Sequence, residues 1–234
     1  MVENLKPLVI FGAGGFGREV AWLVDEINGV SPEWELLGFV DDRATGHTTE
    51  GVPILGPVAH LNTLKGQVWV VLAVGDSRAR YRLARELEDK GFPFATLVHP
   101  SVRMSGHVRV EQGSIVCAGC ILTTNIRIGR NCIINPGCFI GHDTRVGDFS
   151  SLMPGVNLAG DVIVGTGCYF GLNACAINRV TIGEWSVIGA GATVIRDIPP
   201  RVVAVGVPAK PVRTLEDAPQ TETTSQQTDT GGGP

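Results

Sequence analysis

The sequence lacks the features that mark nucleic-acid-binding and membrane proteins. Its 19 basic residues are outnumbered by 23 acidic ones, the net charge is −4, and no basic run occurs. This leaves no electrostatic footprint for nucleic acid or for an anionic membrane. No uncharged span is long enough to cross a bilayer, and the first apolar stretch, residues 8–11, runs into glycines instead of a signal-peptide cleavage site. We therefore expect a cytoplasmic protein.

Apolar residues recur with a six-residue period through the second half of the chain. Sixteen consecutive positions of one frame are apolar, which at 44% hydrophobic content has a chance of about two in a million. Positions four residues further on are small or β-branched, so each hexad has two inward-facing sites of different size. The larger sites are Met104, Val110, Val116, Leu122, Ile128, Ile134, Ile140, Val146, Leu152, Leu158, Val164, Phe170, Ala176, Ile182, Ile188 and Val194.

A six-residue period fits neither a helix nor a simple sheet. A short strand and a corner, repeated three times per turn, do fit it, and this pattern predicts a parallel β-helix of about five coils. Four of the six cysteines occupy small inward sites of the repeat: Cys120, Cys132, Cys138 and Cys168. We predict that these thiols are packed in the core and form neither disulfides nor a metal site.

The region before the repeat has the pattern of a small nucleotide-binding domain. A strand at Leu8–Phe11 leads into the glycine motif of residues 12–17 and then into a helix over residues 18–28. Such a motif lets the backbone approach a phosphate at a helix N-terminus, although a glycine turn needed only for tight packing would look the same.

Two further strands end in residues suited to a nucleotide. The strand at residues 36–40 ends in Asp41 and Asp42, which could accept hydrogen bonds from a ribose or a base. The strand at residues 68–74 ends at Gly75, and Asp76 or Ser77 can cap a helix running to Lys90. Only about three parallel strands fit here, half of a dinucleotide fold, so we expect a nucleotide-sugar and not NAD.

His142 and Asp143 follow Ile140-Gly141 and therefore fall at a corner of the β-helix, outside its core. A solvated side chain is the plain alternative for such a histidine. The order of the chain, however, resembles that of the hexapeptide-repeat acyltransferases with a left-handed β-helix. The similarity is to the branch of nucleotide-sugar N-acetyltransferases and sialic-acid O-acetyltransferases of bacterial glycan synthesis, such as lipopolysaccharide. It covers about residues 7–213 and is carried by residues 135–143, 146–151, 158–160 and 206–210.

The resemblance implies a direct transfer from acetyl-CoA. His142 matches the family's general base, Asp143 the acidic residue that raises its basicity, and Gly160 the glycine whose amide binds the oxyanion. The implied acetyl-CoA groove lies between two subunits of a homotrimer. Its contacts would be Ser151, where the family commonly has histidine, and Gly160, Leu172, Ala190, Lys210 and Arg213, although the last two could be a solvated basic segment. The implied substrate-binding residues are Gly14, Gly15, Phe16, Asp41, Asp42, Gly75 and Asn135.

These observations predict three regions. They are an α/β half-Rossmann-like nucleotide-sugar domain at 1–99, an all-β left-handed β-helix at 100–213, and a low-complexity tail at 214–234 that we expect to be disordered.

The function that fits best is N-acetylation of a nucleotide-linked amino sugar, with a 4-amino-4,6-dideoxyhexose preferred. O-acetylation of a sugar and a non-catalytic scaffold are the alternatives. A zinc β-helix enzyme needs three histidines, and the repeat has only His107 and His142, so no metal is expected.

Overall fold

The structure is a computed structural model that describes residues 5–43, 46, 48 and 51–216. Its first part is a four-stranded parallel sheet with two α-helices, in the spatial order β3-β2-β1-β4. The elements are β1 (Lys6–Phe11), α1 (Gly15–Val30), β2 (Trp34–Val40), β3 (Ile54–Gly56), a 3₁₀-helix (Val58–Leu64), β4 (Trp69–Leu72) and α2 (Ser77–Asp89).

Both predicted helices are present. α1 buries Val20, Leu23, Val24 and Ile27, which recur at helical spacing on one face. The side chain of Asp76 accepts a hydrogen bond from the Ala79 amide and so caps α2, as one of the two predicted alternatives. The sheet has four strands where the sequence predicted about three. The additional strand, β3, has only three residues, too few to show an alternating or continuous apolar pattern.

The second part is a left-handed parallel β-helix, as predicted. Seventeen two-residue strands run from β5 to β21, and strands 18 residues apart pair in parallel, as Arg127 does with Arg145. The strands are β5 (Leu97–Val98), β6 (Arg103–Met104), β7 (Arg109–Val110), β8 (Ile115–Val116), β9 (Ile121–Leu122), β10 (Arg127–Ile128), β11 (Ile133–Ile134), β12 (Phe139–Ile140), β13 (Arg145–Val146), β14 (Ser151–Leu152), β15 (Asn157–Leu158), β16 (Ile163–Val164), β17 (Tyr169–Phe170), β18 (Cys175–Ala176), β19 (Thr181–Ile182), β20 (Val187–Ile188) and β21 (Thr193–Val194).

These strands form a prism with three sides. Side 1 is the sheet of β7, β10, β13, β16 and β19, side 2 contains β5, β8, β11, β14, β17 and β20, and side 3 contains β6, β9, β12, β15, β18 and β21. Side 2 is extended by β22 (Val202–Val205) and the antiparallel β23 (Lys210–Thr214). β5 already pairs with β8, so the prism begins at residue 97.

The hexad prediction of the core is confirmed from the second coil onward. The larger sites from Val116 to Val194 are at most 4% exposed, and Cys120, Cys132, Cys138 and Cys168 are at most 1% exposed. Met104, at 48% exposed, and the half-buried Val110 are the exceptions, because their strands β6 and β7 end side 3 and side 1 and have no coil beneath them.

The first part of the structure, which contains β1 to β4, α1 and α2 and is called the front domain below, packs on side 2 of the prism. Ile115 and Ile133, which point out of side 2, are buried with α1 and β1 in one apolar cluster. Tyr81 of α2 makes edge-on ring contacts with Phe149 and Trp185 of the prism, at centroid distances of 5.1 and 5.7 Å. These contacts place α2 beside the prism.

The remaining expectations concern the chain ends and the membrane. Of the predicted tail, only residues 214–216 are described, and there Thr214 closes β23 while the Leu215 amide donates to the Arg201 carbonyl at 2.7 Å. Residues 217–234 lie outside the described residues. No helix in the described ranges is both long and apolar enough to cross a membrane.

Candidate active site

His142 and Asp143 form a hydrogen-bonded pair at a corner between side 3 and side 1. The His142 Nδ1 and Asp143 Oδ2 atoms are 2.7 Å apart, and both side chains are more than half exposed. Asp143 has a φ of 62°, a left-handed conformation that aspartate tolerates better than most residues. If Nδ1 carries the proton and donates a hydrogen bond to Asp143, Nε2 keeps its lone pair. The corner can therefore present a proton acceptor.

Asp143 has a second partner in the preceding coil. The Asn125 Nδ2 atom donates to Asp143 Oδ1 at 3.3 Å. The hydrogen bonds from His142 and then Asn125 lower the pKa of Asp143 below its ordinary value. This carboxylate is thus ionised when it faces the imidazole.

Gly160 lies directly against the His142 ring, one coil further on. A Cβ atom added to Gly160 would come within 2.4 Å of His142 Nε2, so a side chain there would displace the imidazole. Among the described residues no acceptor is found for the Gly160 amide. The structure brings His142, Asp143 and Gly160 together, and their catalytic roles stay predictions.

The glycines of the motif are of two kinds: some have no room for a side chain, and others border open space. A Cβ on Gly17 would meet the Gly12 carbonyl oxygen at 1.9 Å, and Gly12 has a φ of 100° next to Ala73. Both positions therefore require glycine for packing. Gly14 and Gly15, in contrast, are exposed with nothing within 4 Å of an added Cβ, and they begin α1. They leave open space at a helix N-terminus.

The acidic pair lies beside this motif. Asp41 Oδ2 accepts from the Ala13 amide at 2.9 Å, and its Oδ1 accepts from the Arg43 amide at 2.8 Å. Asp42 Oδ1 accepts from the Val58 amide at 2.9 Å. Asp41 therefore holds the glycine loop itself.

Gly75 lines a cavity of about 480 Å³ between the front domain and the prism. One wall is the start of α2, with Asp76, Ser77 and Arg78. The other wall is side 2 and its neighbouring corners, formed by Met153, Gly167, Tyr169, Trp185, Val187 and the later residue Leu215. Asn135 is close to this wall through Met153, but it is only 5% exposed and its Nδ2 donates to the Leu152 carbonyl at 2.9 Å. Its contact with a sugar stays a prediction.

The predicted acetyl-CoA contact of Ser151 is wrong. Ser151 is completely buried beneath the front domain, where its Oγ accepts from Arg80 Nη2 at 2.9 Å and donates to the Gly75 carbonyl at 3.2 Å. A side chain with these partners cannot contact a ligand on the surface. The hexad places Ser151 on an outward position but does not show what covers that position.

The other predicted acetyl-CoA contacts lie away from the His142 corner. Leu172 and Ala190 are exposed and stack in successive coils at the corner between side 2 and side 3, where the Gly191 amide donates to the Leu172 carbonyl. Lys210 begins β23 and lines a cavity of about 230 Å³ with Arg196, Ile195, Pro208 and Ala209. Arg213 is exposed on the same strand. Within one chain, side 3 separates Leu172 and Ala190 from His142.

Two solved structures that are similar to this chain over most of its length are acetyltransferases. A histidine-to-asparagine mutant of perosamine N-acetyltransferase from Caulobacter crescentus, in complex with CoA and GDP-perosamine, is 34% identical with a TM-score of 0.82. The match covers 90% of this chain and 98% of that one. The acetyltransferase domain of PglB from Neisseria gonorrhoeae is 30% identical with a TM-score of 0.84, covering 88% of this chain and all of that one. The PglD N-terminal domain model matches residues 7–87.

This chain belongs to the hexapeptide-repeat nucleotide-sugar acetyltransferase family. Curated relatives match over short stretches of this chain. One of them, the galactoside O-acetyltransferase of Escherichia coli, is 45% identical over 56 residues, 24% of this chain and 28% of that protein. The chain spans only about a quarter to a third of the length of such relatives, 24% to 33%.

Several residues around the candidate site escaped sequence reasoning. Met153, Tyr169, Trp185 and Val187 line the large cavity, and Arg196 accompanies Lys210. Their only sequence signal is that they occupy outward or corner positions of the hexad. In the ranges that the structure describes, no group of three or more His, Cys, Asp or Glu side chains is arranged to hold a metal ion.

Proposed function

We propose that this protein is an acetyl-CoA-dependent N-acetyltransferase that acts on the amino group of a nucleotide-linked amino sugar. The observation that carries the proposal is the His142–Asp143 pair at 2.7 Å with Gly160 against the ring, in a chain 34% identical to perosamine N-acetyltransferase. A 4-amino-4,6-dideoxyhexose in bacterial surface-glycan synthesis is the preferred acceptor. A cytoplasmic location is part of the proposal.

The reaction is a direct transfer with His142 as general base. The neutral sugar amine attacks the thioester carbonyl carbon, and the new C–N bond forms as His142 Nε2 takes the amine proton. The tetrahedral intermediate collapses with cleavage of the C–S bond, and the thiolate of CoA receives the proton. Asp143 holds Nδ1–H and stabilises the imidazolium that forms. The carboxylate is ionised for this role, because its hydrogen bonds lower its pKa.

We assign to Gly160 the binding of the oxyanion of the tetrahedral intermediate. Gly160 lies against the His142 ring, and its amide has no acceptor within the described part of the chain, so the amide is available to a developing negative charge. A backbone amide held by the stacked coils needs no reorganisation during the reaction, which favours the charged intermediate.

We assign binding of the nucleotide diphosphate to the front domain. In the order β3-β2-β1-β4 the chain turns from one side of β1 to the other, so the crevice between the ends of β1 and β4 is a topological switch point. Gly14, Gly15 and Phe16 border it after β1, and Gly75 borders it after β4. Asp41 and Asp42 lie beside the glycine loop for the ribose or base, and Asn135 lies near the sugar.

The complete site requires a second copy of the chain, and we assign a homotrimer. His142 and the predicted acetyl-CoA contacts Leu172 and Ala190 occupy opposite edges of side 3. Side 3 also exposes Ile121 and Phe139, which pair directly across β9 and β12. Packing that face against another prism would bury these apolar side chains and bring the two edges together. Lys210, Arg196 and Arg213 supply positive charge for the phosphates of CoA.

O-acetylation is the second candidate, because a galactoside O-acetyltransferase is 45% identical to this chain over 56 residues. His142 could deprotonate a hydroxyl as well as an amine, so the site itself does not separate the two.

The test is a panel of UDP-, GDP- and dTDP-linked amino sugars with acetyl-CoA, read by release of the CoA thiol. The matching hydroxy sugars serve as paired acceptors. Turnover with one amino sugar and none with its hydroxy counterpart supports N-acetylation. Turnover of the hydroxy sugar alone would replace this proposal by the second, and turnover of neither would refute both.

A further inference from the structure

Arg80 is a buried cation in the contact between the front domain and the prism. It lies on α2, is only 1% exposed, and directs its whole guanidinium group at oxygen atoms. Nε donates to the Asn131 carbonyl at 2.8 Å, and Nη2 donates to the Phe149 carbonyl at 2.6 Å and to Ser151 Oγ at 2.9 Å. Nη1 donates to the carbonyls of Val74 and Gly75. In the described part of the chain no carboxylate is within ion-pair distance.

Burial of the Arg80 charge carries a desolvation cost. Other interactions must offset this cost. Desolvation lowers the pKa of Arg80 to about 10, which still leaves the guanidinium charged at neutral pH. Its position in the first turn of α2 is also unfavourable, since the N-terminal end of a helix already carries partial positive charge. The carbonyl and hydroxyl oxygens around it, together with the nearby Asp76 carboxylate, offset part of these costs.

The two groups of acceptors belong to the two parts of the protein that enclose the large cavity. Val74 and Gly75 precede α2 in the front domain, where Gly75 lines the cavity, whereas Phe149 and Ser151 belong to the prism. Ser151 also donates to the Gly75 carbonyl, so it reinforces the same connection. One planar side chain therefore fixes the loop before α2 relative to side 2.

Arg80 also fixes the orientation of two peptide units in that loop. In a trans peptide the N–H points opposite to the C=O. Since the Val74 and Gly75 carbonyls face Arg80, the amides of Gly75 and Asp76 face away from it, on the exposed side where these residues line the cavity. Neither amide has an acceptor among the described residues. They are two oriented donors at the crevice assigned above to the diphosphate.

We infer that Arg80 is a positioning residue for the nucleotide-sugar: it presents the Gly75 and Asp76 amides to the diphosphate and sets their distance from the prism. This inference rests on the proposed function. It assigns Arg80 no contact with the substrate and no part in the proton transfer.

The test is Arg80→Lys, which keeps the charge but replaces a planar five-donor fork by a single ammonium. We expect the KM of the nucleotide-sugar to rise about 10- to 100-fold, with the KM of acetyl-CoA and kcat nearly unchanged. A merely structural role would instead lower the amount of active protein, which reduces kcat and leaves KM alone. Arg85→Lys, an exposed position on the same helix, is the matched control and should change neither.

Calorimetry with UDP, GDP and dTDP separates failure of this inference from failure of the proposed function. If the wild-type protein binds none of them, the nucleotide assignment falls, and the role of Arg80 falls with it. If wild type and Arg80→Lys bind the same nucleotide equally, only the role of Arg80 is refuted. Should Arg80→Lys not fold, Ser151→Ala removes one acceptor and one Gly75 contact. It should weaken nucleotide binding about 3- to 10-fold, and unchanged binding there would also refute the role.

Discussion

His142 and Asp143 are adjacent in sequence but have different backbone conformations. The left-handed φ of 62° at Asp143 turns its carboxylate toward the preceding imidazole, where an extended backbone would point neighbouring side chains apart. The chemistry of the site therefore depends on the corner conformation as much as on the residue types.

Replacement of His142 by alanine should lower kcat about 10²- to 10⁴-fold with little change in either KM, because the general base is lost and binding is not. Asp143→Asn should cost less, since the imidazole remains. Steady-state kinetics on both substrates measures these effects. His107→Ala, another exposed corner histidine, is the control and should be neutral. Full activity of His142→Ala would remove this residue from the mechanism.

Individual residues show where sequence reasoning succeeds. His142, Asp143 and Gly160 could be predicted because the hexad fixes which positions are corners and the family motif assigns their chemistry. Ser151 and Arg80 could not be placed, because an outward strand position and a polar position in α2 are normally exposed. Only the packing of the front domain on side 2 buries them.

At the scale of elements, the corner of each coil is shaped by the coil above it. Gly160→Ala should lower kcat at least about 10-fold without changing the melting temperature, because the new Cβ displaces a half-exposed His142 ring and no core atom. Gly106→Ala, at a corner with nothing within 4 Å, is the matched control. Activity assays and thermal melts on both variants measure the two effects, and an active Gly160→Ala would contradict the assigned position of His142.

The stacked strands also determine the behaviour of the thiols. Burial raises the pKa of Cys132 and of Cys168 to about 12, so near pH 8 only about one in ten thousand of each is a thiolate. We expect iodoacetamide at that pH to modify the partly exposed Cys175 and to spare these two until the protein unfolds. Acetyl-CoA alone should leave no adduct of about 42 Da on any cysteine. Mass spectrometry reads both results, and an adduct lost on addition of sugar would show covalent catalysis instead.

Among the elements, the repeat was far more predictable than the front domain. Sixteen repetitions of one pattern reinforce each other, whereas β3 has three residues and no repetition. The exposure of Met104 follows from its place in the first coil, which a periodic pattern treats like any other.

At the scale of the whole molecule, our proposal is that the site is completed only between chains. Mixing inactive His142→Ala chains with Leu172→Glu chains should restore activity at roughly a quarter of the sites, because random assembly pairs one intact edge of each kind with that frequency. Thiol release before and after confirmed subunit exchange measures the recovery. Mixing His142→Ala with His142→Asn should restore nothing. Absence of recovery in the first mixture would place the whole site within one chain.

The contact between the front domain and the prism determines whether front domains can be exchanged between relatives that act on different sugars. Apart from Ser151 Oγ, the oxygens that bind Arg80 in the prism are backbone carbonyls, which any recipient sequence provides. The contacts of Tyr81 with Phe149 and Trp185, and of Glu88 with Arg130, need matching side chains on both sides. A front domain transferred to the prism of a relative would thus keep the hydrogen bonds of Arg80 to backbone carbonyls. The prism residues that contact Tyr81 and Glu88 would have to be transferred with it.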